Sequence, residues 1–251
     1  MSLNKTAIVT GASAGIGRAS AVALSNAGWN VVFAARRLEA LQESVNLCAD
    51  PDKCLIVPGD CTNEENVSQL FKKTIERFGR LDLLFNNAGI AASVKPVEEY
   101  SLIEFSNVLT ANLVGPFLCT QEAIKIFKNQ TPQGGRIINN GSLAAQVVRP
   151  HSAPYAISKH AIAGLSKCTA LEGRAFDITC TQLDIGNALT PLSANTPKGA
   201  PQPDGRIIGE TMFDPQYVAV TVVQLANLPK DVAVPQMTIM ASKAPSHLGR
   251  G

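Results

Sequence analysis

The sequence predicts an α/β protein built on one doubly wound parallel sheet of about seven strands, with helices on both faces. Three observations carry that expectation. Short β-branched runs alternate with longer amphipathic stretches over most of the 251 residues. The runs are apolar at consecutive positions, as expected of strands covered by helices on both sides. A glycine-rich turn follows the first run and leads into helix-forming sequence.

In order, the strands are TAIVT, NVVFAA, CLIVPGD, LDLLFNN, RIINNGS, ITCTQLDIG and QMTIMAS. Residues of helical period between them predict helices at Arg18 to Ala27, Leu38 to Ala49, Glu64 to Phe78, Ser101 to Lys128, Ser152 to Gly173 and Asp214 to Leu228. Gly28 stands where the first helix should end, and Thr62 or Asn63 where the third should begin. The rhythm fails between Thr190 and Pro215, where Pro191, Pro197, Pro201 and Pro203 alternate with Gly199, Gly205 and Gly209. No regular helix fits there, and a loop of that length in a compact domain points to a lid over a site. The expectation is a single domain over residues 1–251, with the lid at 190–215.

Composition narrows the function. With 45% hydrophobic and 17% charged residues the chain supports a large packed core. The net charge of +2 is spread without a basic cluster, so no nucleic-acid partner is expected. Six separated cysteines, without a CxxC pair or histidines at ligand spacing, read as free thiols in a reducing compartment and predict no metal. The N-terminal segment lacks the pattern of a secretory signal, and no apolar run approaches the roughly 20 residues of a membrane span. A cytoplasmic protein without membrane contact is expected.

The turn reads Thr10-Gly11-Ala12-Ser13-Ala14-Gly15-Ile16-Gly17, a TGxxxGxG pattern rather than GxGxxG. Glycines there permit positive φ and let backbone N–H groups and a helix N-terminus approach a pyrophosphate. A glycine pair can also serve chain reversal alone, but its position after the first strand favours a dinucleotide site of Rossmann type. A carboxylate at the end of the second strand would bond the adenine ribose of NAD, whereas a basic group would accept the 2′-phosphate of NADP. The chain offers Arg36 and Arg37 and no acid before Glu39, so NADP(H) is expected in preference to NAD(H). Arg36 is the first choice and Arg37 the second.

Tyr155 and Lys159 lie four apart on one helix face. In isolation that spacing is common surface decoration. Ser142 near the end of the fifth strand, Asn112 in the preceding helix and Asn86-Asn87-Ala88-Gly89 after the fourth strand strengthen the case. In open α/β sheets ligands bind beyond the strand C-termini, where these residues converge.

Taken together, TGASAGIG, Asp60, NNAG, Asn112, Ser142 and Tyr155-Ala156-Ile157-Ser158-Lys159 resemble the short-chain dehydrogenase/reductase family in order and spacing, over essentially the whole chain. The resemblance implies Tyr155 as acid/base, Ser142 as holder of the substrate oxygen, Lys159 as partner of the nicotinamide ribose, and Asn112 in a water-linked proton path. It implies Gly11, Ser13, Ala14, Gly15, Ile16 and Gly17 along the diphosphate, Asp60 and Cys61 by the adenine, and Asn87, Ala88 and Gly89 along the cofactor. Ile185, Gly186 and Thr190 would reach the carboxamide, although Ile185 stands where the family carries proline. Ala14 replaces a basic residue found in some NADP users, which leaves phosphate recognition to Arg36 and Arg37. The chemistry agrees: a phenol ionises near pH 10 in water, and a cation about 4 Å away favours its anion by about 4 kcal/mol at an effective dielectric of 20.

His151 and His160 have no ligand-spaced partners, and Met237 and Met240 read as packing. The long helices at Ser101 to Lys128 and Ser152 to Gly173 suggest a homodimer or homotetramer, as in similar family members. Hydride transfer between NADP(H) and a small carbonyl or alcohol is the leading reading, with a mostly apolar pocket including Ala145, Val147 and Val148. A catalytically silent NADP-binding sensor or scaffold is the alternative, against which the intact Tyr155, Lys159 and Ser142 argue.

Overall fold

The computed structural model describes residues 5–194, 199–202 and 204–244. Six strands appear in the first three quarters of the chain: β1 (Thr6–Thr10), β2 (Asn30–Ala35), β3 (Cys54–Pro58), β4 (Leu83–Asn86), β5 (Gly135–Asn140) and β6 (Ile178–Ile185). A two-stranded ribbon, β7 (Ala200–Pro201) and β8 (Ile207–Ile208), precedes the last strand, β9 (Gln236–Ile239). The main sheet runs β3-β2-β1-β4-β5-β6-β9 with every pair parallel. This is the doubly wound order, and its direction reverses between β1 and β4. The crevice beyond that reversal is where the glycine turn emerges.

Alternation along the central strands sorts side chains into two cores. Ala7 and Val9, Val31 and Phe33, and Leu83 and Phe85 pack on one face, beneath α1 (Gly15–Asn26), α2 (Leu38–Val45) and α7 (Pro215–Asn227). Ile8, Val32 and Leu84 pack on the other, beneath α3 (Glu64–Phe78) and α5 (Gly115–Asn129). Both sets are fully buried, so the apolar runs of the sequence follow from a sheet covered twice. Caps set the boundaries that propensity left open. Asn63 accepts the Asn66 N–H at the start of α3, and Ser101 with Glu104 closes a capping box on α4 (Leu102–Leu109).

The expected helix from Ser101 to Lys128 is α4 and α5 joined through a π-helical turn at Thr110–Val114. Leu102–Asn129 is one 28-residue helical rod with a mean hydropathy of 1.3 over its most apolar stretch, long and apolar enough to cross a bilayer. Polar residues such as Asn107 and Thr110 interrupt its apolar run. Its inner side buries Asn112, Cys119, Ala123 and Phe127 against the protein.

The segment after β6 forms a pinned excursion. Its base is closed by N–H donation from Leu189 to the Phe213 carbonyl at 2.8 Å and from Phe213 to the Asn187 carbonyl at 3.0 Å. Between these points lie a short 3-10 turn at Pro191–Ser193 and the β7/β8 ribbon. Pro197 lies outside the described residues, as does Pro203.

Candidate active site

A cleft of about 680 Å³ opens beyond the C-terminal ends of β1, β2 and β4. Gly11, Ser13, Ala14, Gly15 and Ile16 form one wall, Arg36, Arg37, Asp60 and Cys61 the far end, and Asn87, Ala88, Gly89 and Thr190 the remainder. Gly11 and Gly15 both have positive φ, +68° and +53°. Gly17 packs behind the turn, where a Cβ would stand 2.2 Å from the Gly11 carbonyl oxygen. No side chain caps the N-terminus of α1, and its first turn carries no acid. Its uncapped N–H groups therefore suit an anion, and this donor set fits a dinucleotide diphosphate.

The turn is fastened to β4 through Thr10. The Thr10 hydroxyl accepts the N–H groups of Asn87 and Ala88 at 2.9 and 3.0 Å, and the Asn87 side-chain amide donates to the Thr10 carbonyl at 2.9 Å. From behind, Arg18 donates to the Ser13 carbonyl at 2.7 Å and to Ser44 of α2 at 2.9 Å. At the far end, the Thr62 N–H, the Thr62 hydroxyl and the Arg36 charge hold the Asp60 carboxyl below the usual carboxylate range, against partial burial. Both arginines are exposed, and Arg37 occupies the N-cap of α2 without a side-chain bond to it.

Tyr155 and Lys159 share a face of α6 (Ala153–Gly173), with the Lys159 Nζ 5.5 Å from the centre of the Tyr155 ring. Lys159 is only 7% exposed and donates to the Asn140 carbonyl at 2.7 Å. The Asn140 side chain in turn donates to Asn87 at 2.9 Å. A continuous polar path therefore runs from the Lys159 ammonium to the glycine turn. Asn112 is buried in the π-helical turn, a form often found at functional sites. It accepts the Ile90 N–H at 2.8 Å and donates to the Ile90 carbonyl at 3.0 Å and to Ser158 at 3.1 Å. Ser158 donates to the Tyr155 carbonyl at 2.7 Å, which ties Asn112 to the helix carrying the phenol.

Ser142 leaves β5 in extended conformation, its hydroxyl accepting the Ala144 N–H at 3.1 Å. Its own N–H donates to Asp184 at 3.0 Å. Asp184, fully buried on β6, also accepts from Gln182, Gln146 and Gln236, each at 2.7 Å. Four neutral donors thus surround one buried carboxylate beside Ser142.

Not every expected residue lines the cleft. Tyr155, Lys159, Ser142 and Asn112 lie outside its lining; Lys159 joins it through Asn140 and Asn87, and Asn112 through Ile90, whereas Ser142 bonds Asp184 and Ala144, which do not line it. Ile185 is 6% exposed and packs in the core with Leu183 and Ala188, while the Gly186 N–H bonds the Ile239 carbonyl at 2.9 Å. Neither lines the cleft. Thr190 does, and its Cβ would lie 3.2 Å from a Cβ on Gly15. Sequence reasoning missed Ala111, Gly115 and Cys119, which line the cleft from one face of the rod. Their i, i+4, i+8 spacing of small residues was the available signal.

The profile of the short chain dehydrogenase family matches residues 5–200. The chain belongs to the short-chain dehydrogenase family. Among relatives, a 3beta-hydroxysteroid dehydrogenase of Mediterraneibacter gnavus is 36% identical over 199 residues, 77% of this chain and 67% of that protein. Among solved structures, a variant of actinorhodin polyketide ketoreductase with NADPH superposes with a TM-score of 0.83 at 26% identity, over 94% of this chain and 96% of that one. An alcohol dehydrogenase from the archaeon Thermococcus sibiricus, complexed with 5-hydroxy-NADP, gives 0.83 at 26% identity over 97% and 99%. This short-chain dehydrogenase is an oxidoreductase of keto and hydroxy compounds.

Proposed function

We propose that the protein transfers a hydride between NADP(H) and a carbonyl or secondary alcohol of small or medium size. The observation that carries this reading is the buried Lys159 ammonium beside the Tyr155 ring, fixed to the Asn140 carbonyl. A buried cation costs several kcal/mol unless its surroundings use it. Placed there, it sets a positive charge beside the residue that would exchange a proton with the substrate oxygen.

In this reading Tyr155 gives its proton to the oxygen of a ketone or takes one from an alcohol. Ser142 holds that oxygen by its hydroxyl, so the substrate reacts from an oriented complex. Asn112, fastened to Ile90 and Ser158, keeps the helix turn and α6 in register for proton resupply. Bound nicotinamide supplies the hydride donor or acceptor. Arg36, with Arg37 behind it, accepts the 2′-phosphate, supported by the absence of an acid before Glu39 and by NADPH and 5-hydroxy-NADP in the two similar structures.

The excursion 190–215 serves as a lid, joined to the substrate side by the Arg149–Glu210 ion pair. Exposed Leu102 and Ile103 on α4, Phe117 on α5, and Ile157 and Leu171 on α6 form apolar faces suited to a homodimer or homotetramer. A panel of ketones and alcohols followed at the nicotinamide absorbance, with NADPH and NADH in parallel, tests the reading. Turnover with NADPH is expected, and no turnover with any compound would overturn it.

A further inference from the structure

The cleft carries two thiols that hydride transfer does not use. Cys61 follows Asp60 in the loop after β3, and Cys119 lies one turn along α5 from Gly115; both line the cleft. Gly115 permits this approach, since a Cβ there would stand 3.3 Å from the Cys61 carbonyl oxygen. Cys61 is half-buried and packs against the cluster that contains Cys119, which is 1% exposed. We propose that Cys61 and Cys119 form an oxidisable dithiol, which a hydroperoxide converts to an intrachain disulfide that closes the cofactor cleft. The proposed consequence rests on the reading that this cleft holds the dinucleotide.

Chemistry assigns the two sulfurs different parts. The neighbouring Cys119 thiol holds Cys61 below the ordinary thiol range despite its burial. The same contact, with burial and the charge of Glu122, pushes Cys119 well above it. Cys61, open to the cleft, is therefore the attacking thiolate. It displaces hydroxide from hydrogen peroxide and becomes a sulfenic acid. The Cys119 sulfur then attacks the Cys61 sulfur; the S–S bond forms, the S–O bond breaks, and the leaving hydroxide takes the thiol proton as water. Two thiols lose two electrons and the peroxide becomes two waters. The bond draws the loop carrying Asp60 and Cys61 onto α5, narrowing the cleft between them.

A second pair, Cys48 and Cys54, lies outside the cleft lining, with Cys48 lowered to about 7 by the Cys54 thiol. Cofactor protection separates the pairs, because a bound dinucleotide covers only the first. The full chain is treated with hydrogen peroxide, with and without saturating NADP⁺, then mapped by non-reducing digestion and mass spectrometry while NADPH affinity is followed by fluorescence. A Cys61–Cys119 linked peptide is expected, with affinity about tenfold weaker or worse. NADP⁺ should slow its formation and dithiothreitol should reverse it. Cys119→Ala and Cys119→Ser should form no such peptide, and peroxide should leave the affinity of each at that variant's own untreated value. The proposal is overturned if Cys61 and Cys119 stay unlinked, if linkage leaves affinity unchanged, or if both variants lose affinity under peroxide as the parent does. Untreated protein that binds no NADPH would defeat the cofactor assignment, while the peptide map would still report on the dithiol.

Discussion

The Ser142 N–H donates to a carboxylate oxygen of Asp184 at 3.0 Å, so the residue expected to hold the substrate oxygen takes its position from the neighbouring strand. Gln146 on the following loop donates to the other oxygen, and Gln182 and Gln236 complete the set. Asp184→Asn leaves a single oxygen for these donors and turns an N–H₂ group toward buried amides. The expected loss is on the order of 3 kcal/mol. Thermal unfolding should fall by about 6 to 12 °C, since each kcal/mol moves the midpoint of a domain this size by about 2 to 4 °C. Turnover should fall beyond the loss of folded protein, with NADPH affinity nearly intact, because Ser142 shifts while the glycine turn does not. Scanning calorimetry beside steady-state kinetics checks this; an unchanged midpoint would mean that Asp184 does not hold the loop.

What could be read in the sequence, and what could not, divides by distance along the chain. The glycine turn, the Tyr155/Lys159 face and the doubly covered sheet depend on neighbours within a few residues, so local pattern exposes them. The Asp184 cluster joins residues 142, 146, 182 and 236, and no local signal announces that four amides converge on one carboxylate. The Lys159–Asn140 bond likewise needs β5 and α6 already packed. Ile185 illustrates the converse: the family's position was legible, but its packing in the core beneath the sheet end was not.

Tyr155→Phe keeps the ring over Lys159 and removes only the hydroxyl. General acid–base groups contribute about 10² to 10⁴ in rate, so turnover should fall within or beyond that range. Cofactor affinity should stay within about twofold, as expected when an interaction specific to the transition state is removed. Stopped-flow turnover with NADPH fluorescence titration checks both, and retained turnover would remove the phenol from the mechanism.

Arg36→Ala removes the guanidinium whose charge acts on Asp60 at the far end of the cleft. A charge-assisted bond of about 1.5 to 3 kcal/mol predicts roughly ten- to hundredfold weaker NADPH binding, with NADH much less affected. Parallel KM values for the two cofactors decide the matter. Equal losses would shift phosphate recognition to Arg37 or away from this end of the cleft.

Gly17→Ala tests the cradle without touching any charged group. Its new Cβ would lie 2.2 Å from the Gly11 carbonyl oxygen and 2.4 Å from the Asn87 side-chain nitrogen, so the turn and the β4 end must part. Backbone carries the first clash, and relaxation cannot come from a rotamer change alone. NADPH affinity should fall more than tenfold, with destabilisation of about 1 to 3 kcal/mol from overpacking. Denaturant titration separates the two effects, and normal affinity would show that the cofactor does not depend on this turn.

Glu210 joins the excursion to the loop that carries Arg149. Its carboxylate, 3% exposed, pairs with Arg149 and accepts from Asn187 at 2.6 Å and Gln202 at 3.2 Å. Glu210→Gln keeps the shape but replaces one acceptor oxygen with a donor and leaves the Arg149 charge without its partner. Removing one partner of a buried pair commonly costs about 3 to 5 kcal/mol, although the 43% exposure of the Arg149 side chain lets water recover much of that here. The loss should therefore fall on the excursion rather than on the sheet, because Glu210 makes these contacts at the loops and not within either core. KM for the carbonyl substrate should rise several-fold, while NADPH affinity and the thermal midpoint change little. If the midpoint falls and KM does not, the ion pair secures the fold and the excursion is not a substrate lid.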